Sequence, residues 1–456
     1  MAGRGIGRLG FGLAAATGFV LALIVFGWVG PSLDSDQLRV CRSVLPALNP
    51  GARIAVVGAE PGPVRGSLRL AYDIERVDRT PRERWIICRF AGEGLAAGKA
   101  DLIGVTADDG ELSGANLHLL KRYYLDTPDG VTGDPGLQVR GTVVEVPRPL
   151  AYSLQQGLVS LPRTAIYGLL AVAYALVFGL AGRVNLAFGE LAAVGSAATI
   201  AGAAVVTVGL GISAPLAGLA AGLLAALFAG ALHGAVGGHF TIGRIEARST
   251  QPSLIATVGL SIALMEYLRL AQSPVTVWLP PLGSEAVAIA RAGDFVVSVT
   301  PVTLMTAGIG LSAAGGLLAL MKFSPFGRAW RAYADDARAA ALFGVDGPRL
   351  LRRTLALSGA VAGLSGMLIV AQYGGLGFAG GFQFGLKALI AAIIGGIGSV
   401  PGALVGGVAV GLFETLWQAY LPIEGRDIAL YAALAVFLIY RPGGLLGERE
   451  LAPRPV

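Results

Sequence analysis

A few polar side chains interrupt the long apolar stretches of this chain, and they give the first indication of its chemistry. Asn185 and Glu190 flank Gly189 within an apolar region. Polar groups in lipid are costly unless they face water, a ligand or each other, and a broken helix exposes its backbone to a cavity. We therefore expect these residues to line a path for a solute beside a helix break, with Glu190 paired to a base or capping a half-helix rather than acting as an acid. A tight turn between two helices is the alternative interpretation.

Two further charged residues lie within or beside apolar stretches. Lys387 and Glu414 carry opposite charges, so they are able to pair across neighbouring helices, and we assign them to the same path. The alternative is that each long side chain reaches the membrane surface and anchors the end of a span.

A glycine-rich tract follows Lys387. Glycines at four-residue spacing leave one helix face without side chains, which allows two helices to cross closely. A gating hinge is the second interpretation of the tract. Its residues are Gly395, Gly396, Gly398, Pro401 and Gly402.

A charged segment between two apolar runs has the signals of a surface helix. Ser324 is a good N-cap, Pro325 fits the first turn and Gly344 fits the C-terminal cap. Residues 328–343 are expected to form an amphipathic helix that docks against a partner protein, and an ordinary interfacial helix is the alternative. The residues assigned to docking are Arg328, Trp330, Arg331, Tyr333, Asp335, Asp336 and Arg338.

Motifs for catalysis and for cofactor binding are missing from the sequence. The chain has three histidines, and none has a second ligand at the helical spacing that zinc requires. No G-x-S-x-G elbow occurs. No Walker A loop occurs either, since Glu93 and Ala100 stand where a loop around Gly98 and Lys99 needs glycine and Ser or Thr. We expect no enzyme activity, metal or cofactor in this chain, so any ATP hydrolysis must take place on another subunit.

The elements that position these residues are apolar runs of membrane-spanning length. Hydrophobic residues make up 54% of the chain and charged residues 14%, and the mean hydropathy is +0.67. The expected fold class is an all-α polytopic membrane bundle of about ten transmembrane spans. The expected spans are 11–30, 160–181, 188–210, 213–237, 252–271, 295–321, 354–373, 386–400, 402–421 and 427–441.

Basic residues set the expected orientation. Arg4 and Arg8 precede the first apolar run, and the segment 322–353 is rich in arginine, so the N-terminus, this segment and the tail 448–456 are expected in the cytoplasm. The net charge of +6 is attributed to these span ends rather than to nucleic-acid binding. Residues 1–30 are expected to be a membrane anchor, and a cleaved signal peptide is the alternative.

Residues 31–150 have a different composition, with dense, nearly balanced charge and short apolar runs. They predict a small α+β domain outside the membrane, inserted after the first span. The strands are expected at 53–59, 67–77, 84–90 and 101–106 and a helix at 112–125. The two cysteines of the chain, Cys41 and Cys88, lie here. In an extracytoplasmic domain such a pair predicts one disulfide, and two buried free thiols are the alternative.

Five motifs follow one another in the second part of the chain. They are Tyr174-Ala-Leu-Val-Phe-Gly179, Asn185-Leu-Ala-Phe-Gly-Glu190, Phe326-Gly-Arg-Ala-Trp-Arg-Ala-Tyr-Ala-Asp-Asp336, Gly395-Gly-Ile-Gly-Ser-Val-Pro-Gly402 and Arg441-Pro-Gly-Gly-Leu-Leu-Gly447. In this order they resemble the motifs of the permease subunit of a branched-chain amino-acid ABC importer, and the resemblance covers residues 154–447.

This resemblance implies a permease domain at 151–447 that moves branched-chain or related amino acids inward across the bacterial cytoplasmic (inner) membrane. It also implies a complex with a second permease subunit, two ABC ATPase subunits that hold ATP and magnesium, and an extracytoplasmic solute-binding protein. The helix at 328–343 would then couple the chain to an ATPase. Residues 1–150 depart from the usual pattern. Because similar permeases of the urea-uptake branch also carry N-terminal extensions, an importer of urea or short amides is the alternative. A membrane receptor with an outside sensor domain is the alternative from a different class.

Overall fold

The computed structural model describes residues 34–50, 52–64, 66–76, 79–92, 98–127, 134–135, 144–212, 215–243, 251–272, 277–279, 286–293 and 295–447. The expected anchor at 1–30, with its span at 11–30, and the expected tail at 448–456 lie outside these residues. The two largest hydrophobic cores belong to separate parts of the chain, one to an N-terminal unit and one to a bundle of helices.

The N-terminal unit is an antiparallel sheet of five strands in sequence order with one long helix packed against it. The helix is α1 (Ser35–Leu48), and Asp34 caps it by accepting hydrogen bonds from the first-turn backbone N–H groups. The strands are β1 (Arg53–Pro61), β2 (Ser67–Arg76), β3 (Arg79–Phe90), β4 (Leu102–Ala107) and β5 (Gly110–Glu111).

The core of this unit is built from the side chains that point to one face of the central strands, which are every second residue. Leu68 and Leu70 on β2, with Ile86 and Cys88 on β3, are buried, because successive side chains of a strand point to opposite faces of the sheet. Cys41 on α1 is joined to Cys88 by a disulfide with a Cα–Cα distance of 5.9 Å. The bond therefore ties the helix to the middle of the sheet.

The strands expected from the sequence coincide with β1 to β4 to within a few residues at their ends. The expected helix at 112–125 is shorter than predicted. The observed helix α2 (Gly114–Leu120) starts two residues later than expected, because Ser113 is its N-cap. It continues as one π-helical turn over Lys121–Leu125. The helix α1 was not predicted.

The bundle begins with a short strand and then continues as a series of helices. β6 (Val144–Glu145) pairs in parallel with β7 (Val287–Ala292), which pairs with β8 (Phe295–Val299). The helices are α3 (Arg148–Ala181), α4 (Phe188–Ala204), α5 (Pro215–Gly238), α6 (Gln251–Gln272), α7 (Pro301–Phe323), α8 (Pro325–Asp335), α9 (Ala337–Leu342), α10 (Gly347–Tyr373), α11 (Gly380–Gly395), α12 (Val400–Tyr420) and α13 (Arg426–Tyr440).

Two long helices, α3 and α10, lie at the centre of the bundle. In their most apolar stretches, 83% of the residues of α3 and 78% of those of α10 are buried. Glycines allow the neighbouring helices to approach closely. Gly234 of α5 lies against Gly359 of α10, and Gly407 of α12 lies against Gly168 of α3.

Within the described residues, seven helices are long and apolar enough to cross a membrane. They cover the expected spans at 160–181, 188–210, 213–237, 252–271, 295–321, 354–373 and 402–421. The remaining described spans coincide with shorter helices, since α11 has 16 residues and α13 has 15. The protein therefore has a multi-pass arrangement, while the total of about ten spans stays a prediction.

Two expected spans have different boundaries in the structure. The helix within the expected span at 295–321 begins later than expected, because residues 295–299 form β8 and Thr300 caps α7. The helix at the expected span 386–400 begins and ends earlier than expected. It is α11, which begins at Gly380 and ends at Gly395, and Gly396 after it adopts a positive φ of 111°. The expected division between residues 150 and 151 falls inside α3, whose first turn starts at Arg148 after Pro147.

Candidate functional site

Two helix breaks of the same form lie in the bundle. α3 is ended by Gly182 with a φ of 62°, and α10 is ended by Gly374 with a φ of 83°. Glycine adopts this left-handed conformation without a side-chain penalty. Non-helical residues 183–187 follow the first break and 375–379 the second. The break expected beside Asn185 is thus present, and its counterpart was not predicted.

The two broken segments run in opposite directions through the bundle. The Trp330 indole of α8 donates a hydrogen bond of 3.1 Å to the carbonyl of Leu176, near the end of α3. Tyr333 of the same helix contacts Gly347, at the start of α10. Because α3 ends where α10 begins, the break after α3 and the break after α10 enter the bundle from opposite ends.

The helices that follow the two breaks meet at a pair of glycines. A Cβ atom added to Gly381 of α11 would lie 2.7 Å from the carbonyl oxygen of Gly189 in α4, and one added to Gly385 would lie 2.7 Å from the Cα atom of Gly189. Such distances leave no room for a side chain. The first turns of α4 and α11 are therefore in backbone contact deep in the bundle.

Glu190 lies at this contact. Its side chain is only 1% exposed, and a Cβ atom on Gly381 would lie 2.6 Å from its Oε2 atom. Within the described residues, Oε2 has no hydrogen-bond partner. The carboxylate thus rests against the first turn of α11. Among the described residues it shows neither a basic partner nor a capping hydrogen bond to either helix start, so its expected pairing or capping role stays a prediction.

Asn185 is also buried, at 2% exposure. Its side-chain oxygen accepts a hydrogen bond of 3.1 Å from the backbone N–H of Ala187, which shapes the turn that leads into α4. Neither Asn185 nor Glu190 faces lipid, and their contact with a transported solute stays a prediction.

Lys387 of α11 and Glu414 of α12 form the predicted pair across helices. The Lys387 Nζ atom lies 2.5 Å from Glu414 Oε1, and both side chains are buried. Tyr167 of α3 donates a hydrogen bond of 2.7 Å to Glu414 Oε2. The alternative, in which each side chain anchors a span end separately, is wrong because the two charges satisfy each other.

Two residues of this network were missed by sequence reasoning. Asp427 Oδ1 lies 3.0 Å from Lys387 Nζ, and Arg426 Nε lies 2.9 Å from Asp427 and 3.6 Å from Glu414. Both belong to the first turn of α13, and the signal that marks them is an adjacent Arg–Asp pair directly before an apolar run. The network joins four helices, α3, α11, α12 and α13, through two positive and two negative groups.

The glycine tract forms the turn between α11 and α12. Gly396 and Gly398 have φ angles of 111° and 96°, and Ser399 caps α12 with Pro401 in its first turn. Gly395 and Gly402 lie in backbone contact across this turn. The arrangement is the close packing expected from the spacing, and a hinge motion at these glycines stays a prediction.

The segment expected as one docking helix is two short helices. Ser324 caps α8 as predicted, but α8 ends at Asp335, and the side chain of Asp336 caps α9 by accepting hydrogen bonds from the N–H groups of Arg338 and Ala339. Asp336 has an extended backbone, with φ −146° and ψ 106°. By accepting hydrogen bonds from the first N–H groups of α9, the Asp336 side chain favours the start of a new helix over continuation of α8.

Most of the residues assigned to docking make contacts inside the chain. Trp330 is buried against α3, and Tyr333 packs on Gly347. The guanidinium of Arg331 donates to the carbonyls of Met321 and Lys322 at the end of α7, and Arg328 donates to Phe323. These contacts fix one face of α8 to the bundle, and docking of its exposed face to a partner stays a prediction.

An exposed apolar tip lies at the C-terminal end of α9. Leu342 is 89% exposed and Phe343 is 90% exposed. Asp335 and Arg338 are exposed beside them. Gly344, with a φ of 86°, reverses the chain immediately after this tip. Two adjacent large apolar side chains at a reversal are unusual on a surface facing water and are typical of an interaction site.

Among the described residues, no group of three or more His, Cys, Asp or Glu side chains is placed to hold a metal ion. The polar groups at the bundle centre instead consist of a buried carboxylate between two helix starts and a charge-balanced network.

A multi-pass bundle with two opposed helix breaks around a buried carboxylate defines a membrane transport permease. Residues 158–440 match the family described as the branched-chain amino acid transport system permease component. The chain belongs to this family.

Curated relatives agree with this assignment. The chain is 32% identical over 305 residues to the high-affinity branched-chain amino acid transport system permease protein LivH of Escherichia coli strain K12, covering 66% of this chain and 97% of the relative. It is 30% identical over 306 residues to the corresponding protein BraD of Pseudomonas aeruginosa, covering 65% and 97%. No solved structure matches the chain.

Proposed function

We propose that this chain is the membrane-spanning permease subunit of an ATP-driven ABC importer that moves branched-chain or related amino acids inward. The observation that carries this proposal is the pair of opposed helix breaks around Glu190, which lies inside the region 158–440 that matches the family. Broken helices supply backbone groups to a polar solute at a depth where lipid supplies none.

The proposed path passes Asn185, Gly189 and Glu190 at the first break. The network of Lys387 and Glu414 holds the helices that must separate when a solute passes, since it joins α11 and α12 to α3 and α13. A permease that receives its solute from a binding protein needs to hold that solute only weakly. The path therefore requires no deep, high-affinity pocket.

In this proposal the complex contains a second permease subunit and two ABC ATPase subunits, which hold ATP and magnesium. The segment 328–343 couples the chain to an ATPase, with Leu342 and Phe343 as the inserted tip because these side chains are almost fully exposed. A cleft of 1890 Å³ beside α8, lined in part by Arg331, Pro401 and Arg441, lies next to this docking surface.

The proposal places the protein in the bacterial cytoplasmic membrane with residues 31–150 outside. The solute-binding protein then delivers its ligand on the side of the N-terminal unit. A disulfide between Cys41 and Cys88 fits an oxidising compartment, and the arginine-rich segment 322–353 fits the cytoplasmic side.

Uptake by the reconstituted transporter tests this function. Proteoliposomes that contain the permease, its ATPase and its binding protein should accumulate radiolabelled leucine, isoleucine or valine only when ATP is supplied on the ATPase side. Accumulation of urea or short amides without leucine would instead support the urea-branch alternative. Failure of an ATPase to copurify with the chain would support the receptor alternative.

A further inference from the structure

The first turns of α4 and α11 both lack a side chain that caps their backbone N–H groups. The first backbone N–H groups of a helix have no partner within that helix. The residues at the N-cap positions, Ala187 and Ala379, have no polar side chain, and neither helix start has a side-chain cap. Both helices therefore present uncapped positive ends, and Gly189 and Gly381 bring these two ends into contact.

Among the described residues, the acidic side chain at this contact is Glu190. Each helix start carries the equivalent of roughly half a positive charge, so two starts together balance about one carboxylate. The carboxylate is 1% exposed, and its Oε2 atom lies at Gly381 with no hydrogen-bond donor among the described residues. A buried carboxylate oxygen without a donor keeps its full capacity to accept a hydrogen bond from a cation.

We propose that Glu190 and the opposed starts of α4 and α11 form the occlusion site for a zwitterionic amino acid. In this site the substrate ammonium donates to Glu190 Oε2, and the substrate carboxylate accepts from the N–H groups that α11 exposes when it moves away from Gly189. In the absence of substrate, Glu190 itself neutralises the two helix ends and holds them together.

The site should prefer a ligand that carries both a positive ammonium group and a negative carboxylate group. A carboxylic acid without an amino group would be repelled by Glu190, and an amine without a carboxylate would leave the start of α11 unsatisfied. Urea carries neither charge. This inference rests on the proposed function, because it names the groups of the substrate that the proposed path recognises.

Ligand binding to the whole chain in lipid nanodiscs tests the site. Saturation-transfer NMR with L-leucine, 4-methylpentanoate, isopentylamine and urea as separate probes reports weak binding, and empty nanodiscs correct for partition into lipid. For the unmodified protein we expect leucine to bind more tightly than each of the other three probes. Equal binding of urea and leucine would overturn the zwitterion site.

The substitution Glu190→Gln should change two probes in opposite directions. Leucine binding should weaken at least about tenfold, because a hydrogen bond to a charged group is lost, whereas 4-methylpentanoate should bind more tightly because a repelling charge is gone. A purely structural role for Glu190 would weaken both probes together, and that result contradicts the proposal. Glu266→Gln is the matched control, since this carboxylate lies on α6 with 43% of its side chain exposed, and it should leave every probe unchanged.

A further variant covers the case in which the Gln substitution prevents folding. Glu190→Asp keeps the charge and should preserve the order of the probes with weaker leucine binding, so a lost preference for leucine over 4-methylpentanoate would contradict the site. The importer proposal fails separately. ATP-driven leucine uptake without this binding pattern would overturn the site alone, and the binding pattern without ATP-driven uptake would overturn the importer alone.

Discussion

At the scale of single residues, the buried polar groups differ in how completely they are satisfied. Lys387 and Glu414 satisfy each other at 2.5 Å, while Glu190 retains an oxygen with no partner among the described residues. A fully paired network fixes its helices, whereas an unpaired group is costly unless a ligand satisfies it. We therefore expect the first arrangement to stabilise the fold and the second to bind a ligand.

Removing one member of the network should destabilise the protein. Lys387→Met leaves Glu414 buried with less compensation, and loss of one partner from a buried pair costs about 3–5 kcal/mol. We expect a clear fall in the melting temperature of the detergent-solubilised protein, with partial recovery in the double variant Lys387→Met/Glu414→Gln. Arg269→Met is the control, because its pair with Glu266 is exposed and such pairs contribute about 0–1 kcal/mol. Equal melting temperatures for Lys387→Met and Arg269→Met would show that the network does not stabilise the fold.

Asn185 should matter through its side-chain oxygen. In Asn185→Leu the Ala187 N–H loses its acceptor in a buried turn, at a cost of about 1–3 kcal/mol, and we expect uptake to fall while the ATPase still copurifies. Asn185→Asp keeps the acceptor and places a negative charge near the start of α4, which the helix dipole favours, so it should transport better than the leucine variant. Unchanged uptake by Asn185→Leu would place the path elsewhere.

At the scale of elements, the division of the surface segment into α8 and α9 separates two roles. α8 is held by Trp330 and Arg331 against the bundle, and the exposed tip at Leu342 and Phe343 lies at the end of α9. If this tip docks to an ATPase, we expect a motion received there to be passed to α8 and from there to the end of α3, directly before the first helix break.

The tip should be essential for coupling and not for folding. Leu342 and Phe343 are 89% and 90% exposed, so replacing both by serine removes almost no buried contact and should leave the melting temperature unchanged. ATPase copurification and uptake should be lost, because the apolar interaction surface is gone. Arg331→Glu with Asp335→Arg is a weaker test, because Arg331 holds carbonyls at the end of α7 and its reversal also disturbs α8. A serine double variant that transports normally would exclude this tip as the coupling surface.

At the scale of the whole molecule, two units with separate cores are expected on different sides of the membrane boundary. The N-terminal unit is tied by its disulfide between α1 and β3. The bundle is instead held by contacts between glycines and by its buried network. The two modes of stabilisation suit an aqueous oxidising compartment and a lipid environment respectively.

Thiol labelling tests this placement. In protein denatured after expression in cells with an oxidising periplasm, Cys41 and Cys88 should react with maleimide only after reduction. In the same chain expressed without residues 1–30, residues 31–150 should stay on the cytoplasmic side of the membrane, so Cys41 and Cys88 should both react without reductant. Free thiols in the full-length protein would contradict the extracytoplasmic position of residues 31–150.

The sequence by itself determined the features that depend on local pattern. Apolar runs predicted the multi-pass bundle, alternation predicted β1 to β4, and glycine with polar neighbours predicted the break before α4, because each signal is contained in a short window of residues. It also offered a charge pair of Lys387 and Glu414 as one of two interpretations, and the structure decided for the pair.

The tertiary structure alone decided what depends on residues far apart in the chain. The opposed meeting of Gly189 with Gly381, the addition of Arg426 and Asp427 to the network and the burial of Trp330 against α3 all join distant segments. Spacing cannot reveal such contacts, because the free energy of a close helix crossing or a buried ion pair arises only when packing has removed lipid and water from both partners.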